Sequence, residues 1–221
     1  FAIAQDRDEQ IWVGTSDGIT IFYDPSIVWT NDFQDAACPI IDGFCLLRGQ
    51  KVNDIAVDAA NRKWIATENG VFMVNEDGTE LLLQFTVANS PLPDNDVKAV
   101  TIDQSNGQVF FGTAKGTVSY IGESIQGSET LAEQLYPFPN PVRVDFEGSV
   151  MIKNMQQEST VKITTASGLL VRELSSLGGQ VPWDLTDTYG NRVPPGIYLI
   201  MVATADGESA GITKLAVIEK P

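Results

Sequence analysis

Ile11-Trp12-Val13-Gly14-Thr15-Ser16-Asp17-Gly18-Ile19 returns twice along the chain. The second copy is Lys63-Trp64-Ile65-Ala66-Thr67-Glu68-Asn69-Gly70-Val71, the third Val109-Phe110-Phe111-Gly112-Thr113-Ala114-Lys115-Gly116-Thr117. A short apolar run ending in Asp precedes each copy: Ile3-Ala4-Gln5-Asp6, Ile55-Ala56-Val57-Asp58 and Val100-Thr101-Ile102-Asp103. The period, roughly 45 to 50 residues, is that of propeller blades and longer than most helical repeats.

Each copy reads as three strands. The Asp and the polar residues after it make a turn, because a short carboxylate bonds its own backbone. The next run alternates, with Trp12 and Gly14 or Trp64 and Ala66 on one side, the period of a half-buried strand. The small residue (Gly14, Ala66, Gly112) lets a neighbouring sheet approach. Asp17-Gly18, Asn69-Gly70 and Lys115-Gly116 then form tight hairpin turns that need positive φ. Three repeats cannot close a ring of four to eight blades. Residues 1–128 are therefore expected to be about three C-terminal blades of a larger propeller, with the rest upstream. Phe1 is not a translation start, and the chain is read as a fragment of a longer one.

A polar stretch, 129–136, reads as a linker, followed by Pro137, Pro139 and Pro141, which hold the chain extended. From residue 137 to 221 short strands recur between turn signals at Ala166-Ser167-Gly168, Tyr189-Gly190-Asn191 and Ala205-Asp206-Gly207. About seven strands in this length predict an immunoglobulin-like sandwich. The fold class is thus all-β: a partial propeller, then a β-sandwich.

Composition removes whole classes of function. Of 221 residues, 14 are Lys or Arg and 29 Asp or Glu, a net charge of −15. Residues 1–128 hold 7 against 18, a net of −11. No basic face is available for nucleic acid, which is bound by counterion release, or for an anionic membrane surface. There is no histidine, so no Ser-His-Asp or Cys-His arrangement can be built. No carboxylate pair stands out as a catalytic dyad, and no run is long and apolar enough to span a membrane. The chain is read as non-catalytic, without metal or cofactor. Cys38 and Cys45 lack zinc-site spacing; they are either free thiols or the staple of one loop.

The Trp12-Val13-Gly14-Thr15 core with Gly18-Ile19, and Phe111-Gly112-Thr113 in the third copy, resembles the two-component-regulator propeller repeat. Ala66 replaces the glycine in the second copy. Known members include ligand-sensing ectodomains of histidine kinases, which carry a different sandwich and then a membrane helix. The last 85 or so residues are similar to the type IX secretion C-terminal domain. The matching elements are Pro139-Asn140-Pro141-Val142, Gly148-Ser149-Val150, Gly168-Leu169-Leu170-Val171, Trp183-Asp184, Asp187, Gly190-Asn191-Arg192-Val193, Pro195-Gly196-Ile197-Tyr198 and Lys214. The Trp-Asp to Gly-Ile-Tyr stretch is also similar to the sandwich of flagellar hook-capping proteins.

Blades followed by this domain resemble a family of surface components of the type IX secretion machinery. The resemblance implies two propellers upstream, export from the periplasm to the outer-membrane cell surface, and a retained C-terminal domain. It implies secretion-system proteins as partners, among them a sortase-like protein that attaches cargo to anionic lipopolysaccharide. It implies contact with that lipopolysaccharide through the full-length parent. The acidic fragment offers no surface for an anionic glycolipid, which places such a site upstream or behind a bridging cation. The alternatives are a secreted cargo whose C-terminal domain is a sorting signal, and a ligand-sensing ectodomain.

Export also implies an oxidising setting, in which a Cys38–Cys45 disulfide is expected, with unpaired thiols as the alternative. Asp184, Asp187 and Asn191, and likewise Asp94, Asn95 and Asp96, could hold Ca²⁺ but read better as turn caps. Trp12, Trp64 and Trp183 read as core. Trp29, Phe33 and Phe44 lie outside the repeat pattern and are the better candidates for exposed aromatic contacts, with core packing still the slightly favoured reading.

Overall fold

The computed structural model describes residues 2–26, 36–127, 135–176, 178–204, 207 and 210–219. Among them no segment is α-helical. The chain forms two compact units, Phe1–Gly122 and Glu123–Pro221.

The first unit holds three blades. In the first, β1 (Ala2–Gln5), β2 (Ile11–Thr15) and β3 (Gly18–Phe22) pair antiparallel in that order. A small hairpin follows, β4 (Ile40–Ile41) and β5 (Phe44–Cys45). The second blade is β6 (Val52–Val57), β7 (Lys63–Thr67), β8 (Gly70–Val74) and β9 (Leu81–Phe85). The third is β10 (Val97–Asp103), β11 (Gln108–Thr113) and β12 (Gly116–Ile121).

The repeated Asp sets the geometry of each blade. Asp6 Oδ1 accepts from the backbone N–H of Asp8 (3.0 Å) and Gln10 (2.9 Å), which closes the β1–β2 turn. Its Oδ2 accepts the indole N–H of Trp12 at 2.9 Å. Asp58 does the same for Ala60, Arg62 and Trp64. One carboxylate thus satisfies the turn and turns the Trp ring inward. In the third blade the turn is one residue longer and Phe110 replaces Trp; Asp103 binds only Ser105 and Asn106. At the opposite end a threonine closes each hairpin: the hydroxyls of Thr15, Thr67 and Thr113 donate to the carbonyls of Gly18, Gly70 and Gly116.

The blades stack face to face. Trp12, Ile19 and Ile21 bury against Val52, Ile65 and Phe72 of the second blade. Trp64, on that blade's other face, lies 5.7 Å from the rings of both Phe111 and Tyr120 in the third. A Cβ on Gly14 would run into Val52, which explains the small residue there, whereas a Cβ on Gly112 would meet nothing nearer than Ala99 at 3.8 Å. β7 and β8 are buried along their whole length, not half-buried as their alternation suggests. The middle blade has a neighbour on each face, so its two central strands are covered on both.

A polar seam joins the first two blades. Lys63, fully buried, reaches back to Asp6 Oδ2 at 2.9 Å and lies 4.6 Å over the Trp12 ring. Burial draws its pKa below the ordinary lysine value, opposed by the bond to Asp6. Arg7 N–H donates to Asn61 Oδ1, and Asn61 Nδ2 to Asp8 Oδ2. The second seam differs: Val100 N–H bonds Asp54, and Gln104 Nε2 bonds the Val57 carbonyl.

The second unit is a sandwich of eight described strands. They are β13 (Tyr136–Phe138), β14 (Val142–Arg143), β15 (Val150–Lys153), β16 (Ser159–Thr165), β17 (Leu170–Ser176), β18 (Gln180–Trp183), β19 (Gly196–Ala203) and β20 (Ala210–Ile218). One sheet runs β13-β15-β18, the other β14-β20-β19-β16-β17. Only β14 pairs in parallel, with β20. Trp183, Ile152, Met155, Ile163, Ile200 and Leu215 fill the space between. The Phe138–Pro139 and Asn140–Pro141 bonds are cis, where the sequence suggests a simple extended run.

The units divide after Gly122, earlier than residue 128. Gln180 Nε2 donates to the Glu123 carbonyl and Gly179 N–H to that of Ile125, so the chain joins the sandwich at once. Residues 128–134, most of the expected linker, lie outside the described residues. Leu135 is buried in the core and Tyr136 opens β13.

Asp6→Asn removes the one carboxylate in contact with the buried Lys63 ammonium, leaving only the more distant Asp8 and Asp77, and breaking such a pair costs up to about 3–5 kcal/mol. The expected result is a lower urea midpoint for the first unit, with most of the loss recovered when Lys63→Met is added. Equal midpoints for wild type and Asp6→Asn would show that the pair does not hold the seam.

Candidate functional site

The polar residues singled out by sequence are engaged in turns. Asp184 Oδ1 accepts from Thr186 N–H (3.0 Å) and from its hydroxyl (2.6 Å). Burial raises its pKa, but these bonds outweigh that and hold it below the usual range. Asp187 Oδ1 accepts from the N–H of Asn191 (2.9 Å) and Tyr189 (2.8 Å), and these also lower its pKa. Asn191 Nδ2 turns back to the same carboxylate. Asp94 pairs with Lys115 at 2.9 Å and Asp96 with Lys98 at 2.6 Å, while Asn95 Oδ1 accepts from Val87 N–H. Among the described residues no three His, Cys, Asp or Glu side chains are grouped to hold a metal ion.

The family-motif residues likewise brace the sandwich. Arg192 spends its guanidinium on three carbonyls, those of Asp184 (2.7 Å), Val144 (3.2 Å) and Phe146. Trp183 donates its indole N–H to the Thr186 carbonyl and meets Tyr198 edge-on at 5.6 Å. Tyr198 donates its hydroxyl to the Pro194 carbonyl, and burial raises its pKa. Asn140 pairs with β20 like a short strand, donating to the Lys214 carbonyl and accepting from Ala216 N–H.

Cys38 and Cys45 are bonded, with Cα atoms 5.4 Å apart, across the hairpin of β4 and β5. Phe44 at its tip is 67% exposed and Ile40 48%. Trp12, Trp64 and Trp183 are buried. Trp29 and Phe33 lie outside the described residues.

Two apolar surfaces escaped the sequence reading. Met201 and Ile212 face away from the core in register with Lys162, beside a shallow groove of about 280 Å³ that Thr160, Ala203 and Ala210 also line. The signal was available: Ile197 to Val202 is an unbroken apolar run, so both faces of β19 are apolar rather than one. Tyr136 and Phe138, half exposed, stack at 6.2 Å on edge strand β13. Pro137 between them removes a donor from that edge.

Blades built on an Asp–Trp turn, followed by an immunoglobulin-like sandwich, define a propeller-and-sandwich protein of the all-β class. No protein-family model and no curated protein matches the chain. Among solved structures it is similar to PorZ of Porphyromonas gingivalis, described as an essential bacterial surface component of the type-IX secretion system. The TM-score is 0.70 with 31% identity, over 99% of this chain and 30% of that one. The likeness thus runs through both units, and the chain spans about 30% of the PorZ length. The extracellular domain of a putative hybrid two component system, BT3049 of B. thetaiotaomicron, matches at TM-score 0.40 and 15% identity, over 99% of this chain and 32% of that one. Dimeric latent PorU of P. gingivalis matches at TM-score 0.31 and 20% identity, over 68% and 13%.

Two outcomes follow from this geometry. Reduction of Cys38–Cys45 opens a short loop and is expected to cost about 2–3 kcal/mol of first-unit stability, read by urea titration with and without reductant. Asp187, with its pKa lowered by folding, stabilises above the ordinary carboxylate range, and that contribution is lost as pH falls through its folded value. Asp187→Ala should therefore lower the melting temperature at pH 7, and the gap to wild type should narrow as the pH falls below the ordinary carboxylate range. A gap that is unchanged in acid would contradict the role of the carboxylate charge.

Proposed function

We propose that this chain is the C-terminal part of a non-catalytic, exported cell-surface component of a type IX secretion machinery, acting by binding other secretion-system proteins. The observation that carries this reading is the likeness to PorZ across 99% of the chain, blades and sandwich in the same order. The chemistry agrees with a binding role. The chain lacks histidine, and its motif carboxylates are spent on turns. The sandwich is assigned as a retained type IX secretion C-terminal domain, and the Cys38–Cys45 bond as the exported, oxidised state. Contact with anionic lipopolysaccharide is assigned to the parent outside this acidic portion.

The test is the intact mass of the parent protein released from its own cell envelope. A mass that includes residues 137–221 is expected. A mass ending between the two units, above all with glycan attached, would make the protein a secreted cargo whose sandwich is a sorting signal.

A further inference from the structure

The loop between the first two blades is built to hold its tip still. Both arms root on β3: Ala37 and Ile21 exchange backbone hydrogen bonds at 2.7 and 3.0 Å, and Ile19 N–H donates to the Leu46 carbonyl. Leu46 N–H in turn donates to the Pro39 carbonyl at 2.8 Å. Pro39 is buried, set against Gly78 of the second blade, which also lies against the Trp12 ring. Leu46 belongs to the core between the blades.

Beyond these anchors the hairpin has only two residue pairs, Ile40 with Cys45 and Ile41 with Phe44. A two-stranded ladder of that size is not stable by itself. The disulfide encloses this tip together with Pro39, and Asp42 (φ 51°) and Gly43 (φ 83°) make a tight turn. What is held in place is largely outside the core: Phe44 and Ile40 stand in solvent on either side of exposed Asp42. A bond and a left-handed turn are spent on fixing two exposed apolar side chains. Such pre-ordering lowers the entropy lost on binding, and a rigid aromatic is the usual anchor of an interface.

We propose that the stapled hairpin Cys38–Cys45 is a docking knob, inserted into an apolar cleft on a partner protein whose rim is basic, with Phe44 against one wall and Ile40, on the other face of the ladder, against the opposite one. The basic rim follows from charge: Asp42 sits at the apex, and the blade region carries a net of −11. The proposal rests on the binding role given above.

The test uses the full-length parent in its own cell envelope, with the photo-cross-linker benzoylphenylalanine in place of Phe44 or, as a control, of Tyr189, which is 88% exposed in the second unit. One discrete protein cross-link is expected from position 44 and not from 189. Mass spectrometry should find it in a partner peptide that combines apolar residues with Lys or Arg. Its yield should fall about tenfold in Cys38→Ser/Cys45→Ser, and by a similar factor in Ile40→Ser, which keeps the staple. Asp42→Lys should weaken it as well. A cross-link within the same chain, to lipid or glycan, to an acidic peptide, or none above the control overturns the knob. A qualifying cross-link to a protein outside the secretion machinery keeps the knob and removes the functional reading. Loss of residues 137–221 in the intact mass removes that reading without touching the knob.

Discussion

The first two blades depend on a carboxylate that has been taken out of water and given enough donors to stay there. A buried, unpaired charge is among the costliest things a fold can contain. Asp6 escapes that cost with two backbone N–H groups, an indole N–H and an ammonium, all within 3.0 Å. Because the indole must point at the carboxylate, the rest of the Trp ring is driven against the neighbouring blade. Turn closure, ring orientation and blade stacking are thus three results of one set of bonds. Asp58 repeats the arrangement, but meets its remaining demand with Arg62 of its own turn at 2.7 Å.

Much of this was legible in the sequence because it is local. The Asp-to-Trp spacing, the Gly-closed hairpins and the burial of Trp12 and Trp64 all follow from residues within one repeat. What was not legible depends on the fold bringing distant residues together. Lys63 sits where the other repeats have Ile11 and Val109, and on its own reads as a surface charge. Only the stacking of blades shows that it is buried. The same holds for β14, a two-residue strand whose existence depends on a partner some 75 positions later. Residues 123–127 read as the end of the blades, yet they join the sandwich through hydrogen bonds from Gly179 and Gln180 that composition does not encode.

The sandwich makes the same point about motifs. Trp183, Asp184, Asp187, Arg192 and Tyr198 are the residues that carry the family resemblance, and each is bonded to a turn or a carbonyl nearby. A motif of this kind specifies a shape, and the surfaces available for recognition lie elsewhere. They are the outer face of β19 and β20, the Tyr136–Phe138 edge and the hairpin tip. These are places where apolar side chains stay in solvent although the core does not need them there.

The two seams between blades are chemically unlike. The first is an ion pair over an aromatic ring; the second is a cluster of aromatic rings with backbone bonds. Tandem repeats in a gene invite unequal recombination, which deletes a whole unit while keeping the reading frame. Here such a deletion would not be silent. Loss of the middle repeat would set Asp6 opposite Val109, stranding a buried carboxylate beside a side chain that can give it nothing. With Lys63 in its seam, the middle repeat is not interchangeable with its neighbours at that junction.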